Sequence, residues 1–275
     1  MTDWDAERYH RLSNPQLGWG RHVLERLAPE PNECILDLGC GTGRLTSELF
    51  AAMGEGLVVA VDRSESMLRE AASRHLWHRG PHPVDIDKLP TRLHVVRADG
   101  LSLPFVDIFD AVLSTATFHW ILDHDQLFAS ICRSLVPGGR LVAQCGGAGN
   151  LGSMLARAAV LMTEPPFRDH FTGWRDPWEF ADVATTTERL DRAGFTAIDV
   201  SLVASPTSFG DLEGYRDFLA CVCVREHLQR LPPGLQAGFL DALADGAAAD
   251  DPPYTLDYWR LNILARKPAG IERAA

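Results

Sequence analysis

The sequence predicts an α/β fold in which helices cover both faces of a mostly parallel β-sheet. Short apolar runs alternate along the chain with stretches of helical periodicity, and this alternation is typical of βα units. The composition agrees with a folded protein, because 46% of the 275 residues are hydrophobic and 23% are charged. These proportions exclude disordered and fibrous proteins.

Two amphipathic segments, residues 3–12 and 18–28, precede the first predicted strand. Helix signals separate the strands that follow: Ser64 can cap one helix, and Pro137-Gly138-Gly139 ends the helix that begins at His124. The order of these elements favours a parallel sheet. The strands predicted in the first half of the chain are residues 34–38, 57–61, 93–98, 109–114 and 140–145.

The pattern changes past Gly149 to helical periodicity with many aromatic residues. Two more strands are predicted at residues 196–204 and 261–265, with helices around residues 215–228 and 235–243 between them. We therefore expect one domain over residues 1–275. Its expected parts are a helical cap segment at residues 1–28, a core at 30–146, a helical lid at 147–190, and the end of the sheet with a helical insertion at 191–275.

The chain is acidic, with a formal net charge of −11. Because such a field does not attract nucleic acid or an anionic membrane, we expect neither as a partner. The polar N-terminus and the lack of an 18-residue apolar span predict neither a secretory signal nor a transmembrane helix. The six cysteines lie mostly in apolar stretches, as expected of buried thiols in a cytoplasmic protein.

A glycine turn follows the first predicted strand, in the run Asp37-Leu38-Gly39-Cys40-Gly41-Thr42-Gly43. Such a turn can bind a nucleotide-like ligand, because glycines allow a sharp bend and the next helix offers free N–H groups. The glycine spacing differs from the dinucleotide pattern G-x-G-x-x-G. Since Asp37 would repel a pyrophosphate, the turn favours a cationic ligand.

Two more acidic residues follow the next two predicted strands. Asp62 ends the second strand, where a carboxylate can accept hydrogen bonds from both hydroxyls of a ribose. Asp99 closes the third strand and can accept from an exocyclic amine, while Met67 can cover one face of a base. With Asp37, these acids suit a ligand that carries a cationic group, a ribose and an adenine.

This ordered set of residues resembles the class I S-adenosylmethionine-dependent methyltransferases. The matching motifs are residues 37–43, Val61-Asp62 with Ser64 and Met67-Leu68, Ala98-Asp99, and Leu135-Val136-Pro137-Gly138-Gly139. More narrowly, the chain resembles the trans-aconitate methyltransferase-like group. That likeness is carried by Trp4-Asp5-Ala6 with Tyr9, Pro15-Gln16 with Trp19-Gly20, Phe118-His119-Trp120, and residues 143–150.

The resemblance implies a Rossmann-like sheet of seven strands, S-adenosylmethionine as cofactor and S-adenosylhomocysteine as product. It also implies that the last strand of the sheet is inserted antiparallel. The cofactor-binding residues that we expect are Asp37, Gly39, Cys40, Gly41, Thr42, Gly43, Asp62, Arg63, Met67, Asp99, Gly100 and Ser114.

The expected reaction is direct transfer of the sulfonium methyl group to a small-molecule acceptor, with a carboxylate oxygen as the favoured nucleophile. Hydroxyl, nitrogen and carbon acceptors stay open as alternatives. His119 follows the fourth strand and is the candidate catalytic residue, as a base or as a positioning group. The residues expected to contact the acceptor are Gln16, Trp19, His119, Trp120, Trp174, Arg175 and Arg260.

Two other classes of protein compete with this interpretation. A nicotinamide-dependent dehydrogenase can use a similar sheet, but Asp37 and the glycine spacing count against it. A non-catalytic module that only binds the cofactor differs from an enzyme by the absence of turnover. The sequence does not indicate an oligomeric state.

No metal site is expected. Of His75, His78 and His82, only the first two share a helical face, and Gly80-Pro81 interrupts the series. Cys221 and Cys223 point to different faces of a helix. The aromatic residues between 167 and 180 fit either a lid core or a substrate-binding wall, and the sequence does not decide between the two.

Overall fold

Buried apolar runs form the strands of the computed structural model, which describes residues 4–75, 78–79 and 92–270. In the first strand, for example, the residues from Ile35 to Leu38 are all buried, as expected for a strand covered on both faces. The strands are β1 (Cys34–Leu38), β2 (Leu57–Asp62), β3 (His78–Arg79), β4 (Leu93–Arg97), β5 (Phe109–Thr115), β6 (Leu135–Gly146), β7 (Thr196–Ala204), β8 (Thr207–Ser208), β9 (Thr255–Leu256) and β10 (Trp259–Arg266).

The main sheet has the strand order β3-β4-β2-β1-β5-β6-β10-β7. The strands from β3 to β6 are parallel, whereas β10 is antiparallel to both of its neighbours. The prediction of a mostly parallel, seven-stranded sheet is confirmed, and β3 adds a two-residue strand at one edge. Strands β8 and β9 pair separately.

Strand β6 begins at Leu135 rather than at the predicted residue 140. Phe109 of β5 pairs with Leu135, and Ala111 pairs with Arg140, so the extra residues of β6 form a bulge. Gly138 within this bulge has a φ of +84°, which other residues adopt only with strain. The turn predicted as a helix stop therefore also lies inside a strand.

Aspartates cap several of the helices that connect the strands. Asp5, Asp123, Asp182 and Asp211 each accept a hydrogen bond from a backbone N–H in the first turn of the helix that follows. The helices are α1 (Ala6–Leu12), α2 (Asn14–Leu27), α3 (Arg44–Ala52), α4 (Glu65–His75), α5 (His124–Ser134), α6 (Gly152–Leu161), α7 (Val183–Arg192), α8 (Leu212–Phe218), α9 (Arg225–Arg230) and α10 (Pro233–Ala247).

Alternate residues of the strands build an apolar core on each face of the sheet. Ile35 packs with residues of α2 and α3 on one face, and Leu36 packs with residues of α5 and α7 on the other. This division follows from the two-residue repeat of a strand. Both faces are covered, so the polar ligand-binding groups lie at the edge where the parallel strands end.

A third apolar core lies outside the sheet and contains residues of α6, α8 and α10 together with Phe167 and Phe171. Part of the predicted lid segment thus shares a core with the helices of the C-terminal insertion. No helix in the described ranges is long and apolar enough to span a bilayer. The loop predicted at residues 80–85 lies outside the described residues.

Candidate active site

Two cavities adjoin at the carboxyl edge of the sheet. The larger has a volume of about 480 Å³ and lies at the ends of β1, β2, β4 and β5. The smaller has a volume of about 40 Å³ and lies between the N-terminal segment, the residues after β6, and β10. The side chains shared by both linings are Trp4, Tyr9, Ala116 and Trp120.

The glycine turn after β1 forms part of the larger cavity. Gly39 has a φ of +78°, and a Cβ there would lie 2.0 Å from the Thr117 hydroxyl oxygen. Gly41 also has a positive φ, but the position of its missing Cβ is open. The first glycine is therefore required by packing, and the second leaves the backbone accessible to a ligand.

Asp62 at the end of β2 holds this turn in place. One carboxylate oxygen accepts from the Gly41 backbone N–H at 2.9 Å, and the other accepts from the Ser64 N–H at 2.8 Å. Burial raises the pKa of Asp62, while the two N–H donors oppose that shift. Each carboxylate oxygen retains a lone pair that can accept a hydrogen bond from a ligand hydroxyl.

Asp99 and Met67 lie further along the same cavity wall. Asp99 accepts from the Leu101 backbone N–H at 3.0 Å through one carboxylate oxygen. Met67 is almost buried at the start of α4 and presents its side chain to the cavity. The other predicted cofactor-binding residues that line this cavity are Gly39, Gly41, Asp62, Arg63 and Gly100.

The remaining predicted cofactor residues do not line the larger cavity. Asp37 is buried behind the turn, where its carboxylate accepts from the Thr46 hydroxyl at 2.6 Å. Burial raises its pKa to about 7, and the charge of Asp62 adds to the shift. The predicted cofactor-binding residues that are absent from the lining are Asp37, Cys40, Thr42, Gly43 and Ser114.

Two of these residues fix the backbone of the site. The Ser114 hydroxyl of β5 donates to the Leu38 carbonyl at 2.7 Å and thereby joins the ends of β1 and β5. The Thr42 hydroxyl lies 2.9 Å from Nδ1 of His10 on α1. We infer that these side chains set the shape of the turn rather than contact a ligand.

His119 lies in the lining of the smaller cavity, after β5. Its Nδ1 accepts from the Gly146 backbone N–H at 3.2 Å, so Nε2 carries the proton of the neutral ring. Burial lowers the pKa of His119 to about 3, and the positive charge of Arg260 acts in the same direction. At neutral pH the ring is therefore a hydrogen-bond donor and a weak base.

Arg260 of β10 brings a buried positive charge to the same cavity. Its side chain is 3% exposed, and its Nε donates to the Gln144 side-chain carbonyl at 3.2 Å. The guanidinium lies 4.3 Å from the centre of the Trp19 ring. Neither an ion pair nor a hydrogen bond of its two terminal nitrogens occurs within the part of the chain that the structure describes.

The structure brings most of the predicted acceptor residues together but separates two of them. Gln16, Trp19, His119, Trp120 and Arg260 line the smaller cavity. Trp174 and Arg175 line neither cavity. The Trp174 indole donates to Asp176 at 3.0 Å and its ring packs 4.6 Å from that of His227, whereas Arg175 is exposed.

The aromatic stretch of residues 167–180 is divided between an apolar core and a cavity wall. Phe167 and Phe171 belong to the helical core, whereas Trp178 and Phe180 line the smaller cavity. Tyr258 also lines it and was not expected from the sequence. Its two-residue spacing from Arg260 is the signal that could have indicated a shared face.

The remaining sequence patterns concern a metal ion and a dinucleotide as alternative ligands. No group of three or more His, Cys, Asp or Glu side chains in the described part of the chain could hold a metal ion. The Gly41 N–H, which a dinucleotide-binding turn would direct to a phosphate, already donates to the Asp62 carboxylate. This contact disfavours a pyrophosphate at the turn.

Comparison with known proteins agrees with the fold. Residues 36–143 match the family described as Methyltransferase domain. The chain is 26% identical to an uncharacterized methyltransferase of Schizosaccharomyces pombe over 96% of this chain and 98% of that one. It is also 26% identical, over the same shares of each chain, to a trans-aconitate 2-methyltransferase of Deinococcus radiodurans.

A solved structure has the same fold. The phosphoethanolamine N-methyltransferase 2 of Haemonchus contortus, in complex with S-adenosylhomocysteine, aligns with a TM-score of 0.55 and 21% identity. The alignment covers 91% of this chain and 52% of that one, so the present chain spans about half the length of that enzyme. The matched domain and the similarity to methyltransferases over nearly the whole chain indicate an S-adenosylmethionine-dependent methyltransferase.

Proposed function

We propose that this methyltransferase transfers the methyl group of S-adenosylmethionine to a carboxylate oxygen of a small carboxylic acid. The observation that carries the proposal is Arg260, a buried guanidinium that faces the smaller cavity without an acidic partner among the described residues. A buried charge is costly unless an opposite charge neutralises it. A carboxylate bound in this cavity would supply that charge.

The larger cavity fits the cofactor in volume and in chemistry. Its volume of about 480 Å³ lies within the usual range for small-ligand sites. Of the residues that line it, Asp62 could accept from the ribose hydroxyls, Asp99 could accept from the adenine amine, and Met67 could cover the base. The adjoining smaller cavity would then hold the acceptor next to the cofactor.

The cofactor, when bound, supplies an electrophilic methyl group on a positively charged sulfur. A carboxylate lone pair forms the new O–CH₃ bond while the C–S bond breaks, and the sulfur keeps the electron pair of the broken bond. No proton is transferred, because a carboxyl group with a pKa near 4 is already ionised at neutral pH. The contribution of the protein is then mainly orientation and the exclusion of water.

The donors of the smaller cavity suit this task. The terminal nitrogens of Arg260 can hold a carboxylate in two parallel hydrogen bonds, and Nε2 of His119 can donate a third. The Gln16 side-chain oxygen is buried without a hydrogen-bond partner in the described ranges, so its amide is available to the acceptor after rotation. These groups would leave other carboxylate lone pairs free for the new bond.

A hydroxyl acceptor fits less well, because it must lose a proton to a base. Burial lowers the pKa of His119 to about 3 and raises the pKa of Tyr9 to about 12. The first group is too weak a base at neutral pH, and the second holds its proton. The trans-aconitate named for several relatives is itself a carboxylic acid, which supports the same class of acceptor.

A labelled methyl donor tests the proposal directly. The protein is incubated with the donor and a panel of carboxylic acids, phenols and amines, and the products are treated with mild alkali. We expect label in carboxylic acids only, and we expect alkali to release it, because esters are hydrolysed and ethers and methylamines are not. Label that stays attached after this treatment would contradict a carboxylate acceptor.

A pair of variants on one strand links the activity to Arg260. Arg260→Met should reduce kcat/KM for the acid by about 100-fold or more, because it removes a charge-assisted pair of hydrogen bonds. Arg266→Met is the matched control, since Arg266 is exposed on the same strand β10. Unchanged kcat/KM in the Arg260 variant would remove the main support for the proposal.

A further inference from the structure

We infer that the acceptor is a monocarboxylate with a flat, apolar body rather than a di- or tricarboxylate. This inference rests on the proposed function and specifies its substrate class. It follows from the number of positive charges at the smaller cavity, from the hydrogen-bonding capacity of Arg260, and from the aromatic rings that form the remaining wall.

The smaller cavity offers a single positive charge. Of the described residues that line it, Arg260 is the one with a permanent charge. His119 is neutral, and burial keeps the nearby Cys223 and Tyr258 protonated by raising their pKa values. One carboxylate neutralises this charge completely, so a second carboxylate would remain buried without a counter-charge.

Arg260 has room for one carboxylate and no more. Its Nε is occupied by Gln144, which is held in turn by a hydrogen bond from its own amide nitrogen to Asn262 at 2.7 Å. The Trp19 ring covers one face of the guanidinium at 4.3 Å. The edge that carries the two terminal nitrogens is left, and that edge matches the two oxygens of one carboxylate.

Two other arginines near the cavities already have acidic partners. Arg225 pairs with Glu226 at 2.6 Å, lies 4.1 Å above the Trp4 ring, and is not part of the lining of the smaller cavity. In the larger cavity, Arg97 pairs with Glu65 at 3.1 Å. A second carboxylate would have to compete with these ion pairs, and its affinity would fall accordingly.

Much of the remaining wall is aromatic. Trp178 lies edge-on to Trp120 at 5.7 Å and stacks on Phe180 at 5.8 Å, and Phe180 stacks in turn on His119 at 5.7 Å. A wall built from aromatic side chains favours flat, unsaturated bodies over charged or hydrated ones. The free space of about 40 Å³ is narrow, so a flat body enters more easily than a branched one.

The test compares acids of different charge and shape on the full-length protein. Cinnamate, sorbate, hexanoate, fumarate and trans-aconitate are each titrated by calorimetry in the presence of saturating S-adenosylhomocysteine. The same acids are then assayed for methyl transfer. We expect cinnamate and sorbate to bind at least about tenfold more tightly than fumarate and trans-aconitate, with hexanoate in between.

Binding and turnover separate the inference from the proposed function. Tighter binding of trans-aconitate than of every monocarboxylate would overturn the inference, even if alkali-labile esters form. Binding of flat monocarboxylates without any ester would support the inference and contradict the proposed function. If no acid binds, both are wrong.

Variants of β10 show whether Arg260 is responsible. In Arg260→Met, the advantage of cinnamate over a neutral cinnamyl ligand such as cinnamamide should disappear, whereas Arg266→Met should keep it. Arg260→Lys, which retains the charge without the paired donors, should bind cinnamate with intermediate affinity. Binding of S-adenosylhomocysteine is measured in each variant to show that the larger cavity is intact. A preference for cinnamate that survives Arg260→Met would overturn the role assigned to this residue.

Discussion

At the scale of single residues, the site depends on side chains that hold the backbone as well as on those that face a ligand. Asp62 does both, since it accepts from the Gly41 and Ser64 N–H groups and also lines the larger cavity. Asp37 belongs to the first kind alone, because its carboxylate is turned towards Thr46. Substitutions at these two positions should therefore have different effects.

We predict that Asp62→Ala weakens binding of S-adenosylhomocysteine by about 30- to 1000-fold, or 2 to 4 kcal/mol. The ribose hydroxyls lose their acceptor, and the turn loses its hydrogen bonds. Calorimetry measures the affinity, with Asp169→Ala as the control because Asp169 is an exposed acid remote from both cavities. Equal affinities for the two variants would show that the ribose lies elsewhere.

The sequence located the residues at strand ends better than it located their side-chain directions. Parallel strands that follow one another must end at one edge, so the positions of Asp62 and Asp99 could be predicted from the chain alone. Residues in an extended segment have no helical or strand repeat to indicate a direction. For that reason Trp174 and Trp178, four residues apart, could not be told apart, although only Trp178 lines a cavity.

The burial of Arg260 is a second feature that could not be predicted from the sequence. Its position depends on the insertion of β10 between β6 and β7, where the antiparallel register places Arg260 opposite Gly146 and beside Gln144. That register is set by pairing between residues more than a hundred positions apart, which a local pattern does not encode. The sequence could therefore suggest Arg260 as a donor but could not show that its charge is buried.

At the scale of elements, the third apolar core, which contains residues of α6, α8 and α10, borders a buried histidine that lines neither cavity. His227 of α9 is 1% exposed and lies among Phe171, Trp174 and Phe239. Its Nδ1 has no hydrogen-bond partner among the residues that the structure describes, and burial lowers its pKa to about 4. The folded protein therefore keeps this ring neutral at a pH where the unfolded chain protonates it.

We predict that His227→Phe reduces the acid sensitivity of the fold. Between pH 6.5 and 4 the unfolded state binds the proton of His227 and the folded state does not, so wild-type stability falls as the pH falls. From pH 7 to pH 5, the wild type should lose on the order of 1 to 2 kcal/mol more of its free energy of unfolding than the variant. Urea titrations at both pH values measure this difference, and parallel losses would contradict it.

Helix α1 is the element most directly coupled to the larger cavity. The preceding Trp4 and its own Tyr9 line that cavity, and the His10 carbonyl accepts from Arg44 at 3.0 Å. The Ser66 hydroxyl of α4 donates to the Trp4 carbonyl at 2.8 Å. A ligand in the larger cavity would thus contact α1 on one side and the glycine turn after β1 on the other.

We predict that S-adenosylhomocysteine slows amide hydrogen exchange in α1 by about tenfold or more. A ligand that contacts Trp4 and Tyr9 stabilises α1 in its packed position. Amide exchange in α1 requires the helix to open, so the bound ligand should slow it. Helix α7 is the internal control, because it packs on β7 and α5 away from both cavities. Equal slowing in α1 and α7 would indicate a global stabilisation instead.

At the scale of the whole molecule, the net charge of −11 opposes the approach of an anionic acceptor. Arg260 attracts the acid at the site, but at a distance its single positive charge is outweighed by the net negative charge of the chain. The overall repulsion acts over a Debye length, about 10 Å at 0.1 M salt, and salt screens it. The acid must therefore reach its site against the field of the protein.

We predict that kcat/KM for a carboxylic acid acceptor rises, by roughly two- to fivefold, when sodium chloride is raised from 20 to 200 mM. Initial rates at low acceptor concentration measure this effect. Thermal unfolding over the same range of salt shows whether a change in stability contributes. A fall in kcat/KM with salt would mean that the attraction of the acid to Arg260 outweighs the repulsion by the net negative charge.

The wall that the two cavities share implies a compulsory order of binding. Trp4, Tyr9 and Trp120 face both spaces, so a ligand in the larger cavity fixes side chains that the second ligand needs. We expect ordered sequential kinetics, in which the cofactor enters first and S-adenosylhomocysteine leaves last. S-adenosylhomocysteine would then inhibit competitively against the cofactor and non-competitively against the acid. Between turnovers the larger cavity would consequently stay occupied by S-adenosylhomocysteine until that product is removed.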